Sequence, residues 1–135
     1  MSTATARYAG QLRTEATHVA SGTTIHTDAP VDNHGRGEAF SPTDLVCAAL
    51  GSCMMTIMGI VAARQELDLT GVTWSVTKRM AAEPRRISEI EVAFRLPATL
   101  SAKERATLEH AARTCPVALS LNPEIRQSVQ FTYEG

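Results

Sequence analysis

Cys53 and Cys115 are the residues of this chain whose type and setting could do chemistry. A thiolate is a strong nucleophile, and two thiols in reach of each other can cycle through a disulfide. Cys53 lies in GSCMMTIM, residues 51–58, the middle of the most apolar stretch of the chain. A cysteine there can be a small hydrophobe packed in a core, with Met54 and Met55 as core filler beside it. That is the plainer reading of its neighbourhood; the other is a placed thiol. Cys115 directly precedes Pro116. Proline disfavours helical geometry in the residue before it and suits the first turn of a helix. Cys115 therefore falls at the N-cap of a short helical segment, Val117–Leu121, where unpaired N–H groups favour a thiolate. The plain alternative is a cysteine that happens to precede a helix-starting proline. Cys47 lies six residues before Cys53, about 120° around a helix, and is assigned to the core. If the fold brings Cys53 and Cys115 to a Cα separation of about 5.5 Å, they can form a redox pair. Spacing alone does not show that they meet.

Other chemistries find less support. His18, His26, His34 and His110 are scattered, with no Cys-x-x-Cys or His-x-x-x-His pattern, so no metal is expected. No G-x-S-x-G elbow is present. Gly35 and Gly37 are too sparse for a phosphate loop, and no cofactor is expected. Thirteen basic residues against fourteen acidic, one Trp, two Tyr and three Phe give neither a basic face nor stacking aromatics for a nucleic acid. Three widely spaced cysteines are not a secreted disulfide framework. Met1–Gly10 has no apolar signal region, so a reducing cytoplasm is expected.

The elements that must position the thiols follow from patterning. A chain of 135 residues, 44% of them apolar, has the length and composition of one globular domain, residues 1–135. Residues 5–28 alternate in short pieces broken by Gly10 and Gly22, which predicts two or three antiparallel strands. Residues 29–40 (APVDNHGRGEAF) read as a loop. Ser41-Pro42-Thr43-Asp44 opens a helix: Ser41 suits the N-cap, Pro42 the first helical position, and Asp44 the capping-box acid. Leu45 to Ala63 is uncharged for nineteen residues, as long as a membrane span. Gly51, Ser52, Thr56 and Gly59 dilute it, no aromatic belt or basic cluster flanks it, and its start carries a cap. The central helix of a globular core fits better than a membrane partner. Residues 71–81 and 87–96 alternate around Glu83-Pro84-Arg85-Arg86 and predict a hairpin. Val72, Trp74 and Val76 share one face of its first strand, and Ile90, Val92 and Phe94 one face of the second. Ser101-Ala102-Lys103-Glu104 is a second capping box, starting a helix to about Thr114. Residues 124–133 close as a strand. The order β-β-β-α-β-β-α-β predicts an α+β fold, with antiparallel sheets packed on a long central helix.

SPTDLVCAALGSCMMTIM at 41–58, followed by CPVALSL at 115–121, resembles the OsmC/Ohr family of thiol-dependent peroxidases, and the element order matches over nearly the whole chain. The resemblance implies an intertwined homodimer that reduces organic hydroperoxides. Cys53 would be the peroxidatic thiol, oxidised to a sulfenic acid. Cys115 would be the resolving thiol, closing a disulfide that a dithiol then reduces. It also implies an arginine from the region before the long helix, oriented by a glutamate directly after the motif's proline. Here that position is Thr43, and the acid, Asp44, comes one residue later, about 100° further around the helix. Asp44 is thus a candidate site residue whose other reading is a cap alone. Arg36 is the candidate cation, with His26 as the alternative. These departures resemble a divergent OsmC-like branch. They leave open a second function: small-molecule binding or redox sensing with little or no peroxidase turnover.

Overall fold

A computed structural model describes all 135 residues. They fall into two compact units, Met1–Val46 and Cys47–Gly135, divided inside the long helix.

The first unit is built on strands β1 (Ala4–Gly10), β2 (Arg13–His18) and β3 (Thr24–Asp28), which pair antiparallel in that order. Gly10 and Gly22 turn the chain with φ of 85° and 76°, a region open to glycine without steric cost. After β3 the loop makes one 3-10 turn, Val31–Asn33. Gly35 then passes so close to Ala29 that a Cβ on it would lie 1.7 Å from the Ala29 carbonyl oxygen. The residues this unit buries are polar: Thr27, Asp28 and Ser41. Tyr8, Leu12, Ile25, Val31 and Phe40 stand exposed.

Helix α1 (Pro42–Arg64) starts where the capping signal places it. The Asp44 N–H donates to Ser41 Oγ at 3.1 Å, and the Ser41 N–H to Asp44 Oδ2 at 3.0 Å. The two bonds satisfy one otherwise unpaired donor of the first turn and the N-cap's own amide. By length and mean hydropathy (2.2) α1 could cross a membrane. Its burial is one-sided: Cys47, Leu50, Gly51, Met54, Met58 and Ala62 are buried at three- and four-residue steps. Ala49, Ser52, Thr56 and Ile60 lie open. That periodicity is a helix packed by one face.

In the second unit that face meets strands β4 (Thr73–Ala81) and β5 (Arg86–Pro97), a hairpin, with β6 (Arg126–Glu134) on its other side. A Cβ on Gly51 would lie 2.8 Å from Trp74 Nε1 and 3.0 Å from Val76 Cγ2, so the missing side chain is what lets α1 approach β4. Alternation puts Trp74 and Val76 of β4, and Ile90, Val92, Phe94 and Leu96 of β5, into the core. Trp74, Phe94 and Phe131 run through it as a chain of rings, with centroids 5.9 and 5.5 Å apart. Fully burying a side chain of this size is worth about 1.5–3 kcal/mol.

One pairing corrects the expected all-antiparallel arrangement. β6 runs parallel to β5, Val92 opposite Val129 and Phe94 opposite Phe131. The connection explains it. Helices α2 (Ala102–Arg113) and α3 (Pro116–Ser120) lie between the two strands, and a crossover of that length returns the chain to the end where β5 began. Alternation in β6 fixes its faces but says nothing of its direction.

Candidate functional site

The second unit brings Cys53 and Cys115 together. Cys115 caps α3 from outside the helix (φ −68°, ψ 154°), as the following proline requires, and its sulfur accepts the Ala118 N–H at 3.4 Å. The two thiols lie close enough for Cys53 to influence the ionisation of Cys115, and neither is in a disulfide. Cys115 is fully buried, at 0% exposure. Burial pushes its thiol above the ordinary value, and the neighbouring Cys53 thiol adds to that, while the Ala118 and Val117 N–H groups pull the other way. Burial disfavours the charged form and hydrogen bonds to sulfur favour it; here burial wins.

Cys53 sits differently. On α1 it lies at the edge between the buried ridge of Leu50 and Met54 and the open strip of Ala49, Ser52 and Thr56, and it is partly exposed. Of its methionine neighbours, Met54 is core filler at 0% exposure. Met55 faces elsewhere and lines, with Gly59, Ala62, Leu67 and Leu69, a shallow cavity of about 400 Å³ at the C-terminal end of α1. Cys47 is buried in the core. A partly exposed thiol beside a buried one can be oxidised from outside and then condense with it to a disulfide.

The remaining expected site residues lie in the first unit. Asp44 is engaged in the capping box described above. Arg36 is an exposed loop residue whose backbone N–H points to the Asp28 carboxylate. His26 is exposed, with Nδ1 3.8 Å from Glu15 Oε1. The arginine that this unit does hold in place is one the sequence did not single out. Arg13 Nη2 donates to Glu38 Oε2 at 2.9 Å and lies 3.5 Å from Asp28 Oδ2. The Asp28 side chain is 1% exposed. The Glu38 N–H, at 3.0 Å, and the guanidinium of Arg13 hold its carboxyl below the ordinary carboxylate range. These groups line a polar hollow of about 520 Å³ with Thr14, Glu15 and His26. No pattern marks Arg13 in advance. It is one of several charged residues on alternating strands, and Asp28 looks like the first residue of a loop.

The OsmC-like protein family model matches residues 35–130, more than half of the chain, and the chain belongs to that family. Among solved structures it is similar to one from Psychrobacter arcticus 273-4, whose description proposes an osmotic stress induced and detoxification response protein. The identity is 50%, the TM-score 0.94, and 97% of this chain and 96% of that one are covered. It shares its fold with an organic hydroperoxide resistance protein OsmC from Legionella pneumophila, at 18% identity and TM-score 0.76, with 98% of both chains covered. It does so also with an organic hydroperoxide resistance protein from Elizabethkingia anophelis that has thiocyanate bound, at 14% identity and TM-score 0.76, covering 99% of this chain and 98% of that one. No curated protein matches.

Proposed function

We propose that the chain reduces organic hydroperoxides through Cys53 and Cys115. The Cys53 thiolate attacks the distal peroxide oxygen. The O–O bond breaks, the alcohol leaves, and Cys53 becomes a sulfenic acid. The Cys115 sulfur then attacks Cys53 Sγ, water leaves, and a disulfide forms. An external dithiol restores both thiols and is itself oxidised to a disulfide. The observation that carries this reading is the closeness of a partly exposed thiol to a buried one, sixty-two residues apart in sequence. Apolar neighbours on α1 favour an organic peroxide over a more hydrophilic oxidant. Membership of the family, and stress and detoxification terms in the description of a 50% identical structure, agree with it.

A thiolate among apolar groups needs a cation. Arg36 is the cation proposed from sequence. We also propose a homodimer, since the open strip of α1 and the exposed apolar residues of the first unit lack cover within the chain. Peroxide consumption with a dithiol reductant tests the activity. Wild type consumes cumene hydroperoxide over many turnovers and Cys53→Ser does not; unchanged consumption by Cys53→Ser would rule the mechanism out.

A second reading is supported by Thr43, which stands where the resembling peroxidases carry glutamate. The protein would then bind a small molecule or sense oxidants, with a thiol pair that oxidises without fast cycling. A disulfide that forms stoichiometrically with peroxide, but turns over no faster than free thiols do, favours this reading.

A further inference from the structure

We propose that Gln127 is a positioning residue for the disulfide-closing step: its side-chain amide anchors α3 and so holds the Cys115 sulfur where it meets Cys53. The inference deepens the proposed function by naming what positions its second thiol, and it rests on the same redox pair.

Gln127 breaks the pattern of its own strand. In β6, residues 127, 129, 131 and 133 share one face by the two-residue period, and the other three, Val129, Phe131 and Tyr133, pack against the core. Across the parallel ladder Gln127 lies opposite Ile90, which is fully buried. A half-buried amide among such neighbours is costly unless it is bonded. Gln127 Nε2 donates to the Ala118 carbonyl oxygen at 3.0 Å. Ala118 is also the residue whose N–H donates to the Cys115 sulfur at 3.4 Å. One residue of α3 is thus held from β6 on its carbonyl side and holds the sulfur on its amide side.

α3 has little of its own to keep that place. It is five residues long, and a helix leaves its last four carbonyls without partners inside it. The Leu119 N–H donates to the Cys115 carbonyl at 3.1 Å and Ser120 Oγ to that of Pro116 at 2.7 Å, both within the same turn. The bond from Gln127 crosses to another element. Without it α3 is expected to shift on the sheet and carry the Ala118 and Val117 N–H groups off the sulfur. Those groups pull the Cys115 thiol down against the burial that raises it, so their loss leaves less thiolate. The step they serve is condensation. The Cys115 thiolate bonds to Cys53 Sγ and the S–O bond of the sulfenic acid breaks. Hydroxide leaves and takes up the proton that Cys115 gave, as water.

The test compares wild type with three variants. Gln127→Met keeps the length and loses the donor. Gln127→Glu keeps the shape and turns an acceptor to the carbonyl. Ser128→Ala is the control: Ser128 Oγ donates to Glu89 Oε2 at 2.6 Å from the other face of β6, so its loss weakens the strand without touching α3. Closure is followed by non-reducing mass spectrometry after one equivalent of cumene hydroperoxide, with dimedone as a trap for sulfenic acid. It is followed separately in excess diamide, where the rate is set by closure alone. Both Gln127 variants are expected to close the Cys53–Cys115 disulfide at least about fivefold more slowly with either oxidant, the worth of one hydrogen bond. The pH midpoint of closure moves up, Cys53 oxidation is unchanged, and the dimedone adduct builds up on Cys53. Ser128→Ala closes like wild type. Closure at the wild-type rate in either Gln127 variant, or equal slowing by Ser128→Ala, would overturn the proposal. A wild-type chain that closes with diamide and ignores the peroxide would refute the proposed function, and the diamide rates would still decide the role of Gln127. Failure of both oxidants to join the two cysteines would overturn both.

Discussion

The two units bury opposite things. The second hides an apolar core whose largest members, Phe94, Leu50, Met54 and Met58, are at most 1% exposed. The first hides a carboxylate, two hydroxyls and little else, and leaves Tyr8 and Val31 at 65% and 73% exposure. Both are three-stranded sheets, but Tyr8 and Ile25 are the large apolar residues of β1, β2 and β3, whereas β4, β5 and β6 are rich in them. The difference lies in composition and in cover: β4 and β5 have a helix against one face, while β1, β2 and β3 have none within their own unit. A sheet without apolar cover depends on its ladder, on side-chain hydrogen bonds such as that between Thr14 and Thr27, and on polar ties such as Arg13 to Asp28. The redox pair sits where packing is dense and the oriented arginine where bonding is polar. One unit thus fixes two sulfurs by crowding, and the other fixes a guanidinium by charge.

That contrast can be broken or sharpened by substitution. Phe94→Ala should cost the most, about 3–5 kcal/mol, because the cavity opens between Trp74 and Phe131. Urea unfolding measures it; a loss below about 1 kcal/mol would mean that the ring chain is not the centre of the core. Gly51→Ala should follow at about 1–3 kcal/mol, since the new methyl overlaps Trp74. A shift in tryptophan emission should accompany it, and a stabilised variant would contradict the close approach of α1 to β4.

Asp44→Ala should cost about 1 kcal/mol by removing half of the capping box. If the carboxylate only caps, the rate of Cys53 oxidation by peroxide stays within about twofold, and Asp44→Asn, which still accepts a hydrogen bond, recovers most of the stability. A large rate loss with stability intact would give Asp44 a part in the chemistry. The smallest effect should be one of pH, in the first unit. Asp28 has a carboxyl held below its ordinary value of 3.8, first by the Glu38 N–H and then by Arg13. A group depressed on folding adds stability above its unfolded pKa, and that stability is lost as pH falls through the folded one. Amide exchange in β2 and β3 should therefore quicken below about pH 4, the unfolded aspartate range, and Asp28→Asn should flatten that dependence. An unchanged profile in Asp28→Asn would show that the polar ties do not hold the sheet.

The sequence by itself determined which segments are helix and which are strand, because the cues are local. Two capping boxes, one proline after a cysteine, and period-two alternation placed α1, α2, α3 and the hairpin within a few residues of where they lie. Cys115 at an N-cap was legible for the same reason, as was Cys47 in the core, and the paired motifs pointed to the family. Only the tertiary structure decided the rest. Whether β6 runs parallel or antiparallel to β5 depends on the path of a crossover, which alternation cannot encode. That the Cys53 and Cys115 thiols meet across sixty-two residues depends on α1 and α3 packing in one core. That Arg13, rather than Arg36, is the arginine held by carboxylates depends on β2, β3 and the loop at Glu38 converging, and no short pattern records that. Local cues fix backbone conformation because they act within one turn of the chain, whereas a site is made by distant residues whose meeting only packing decides.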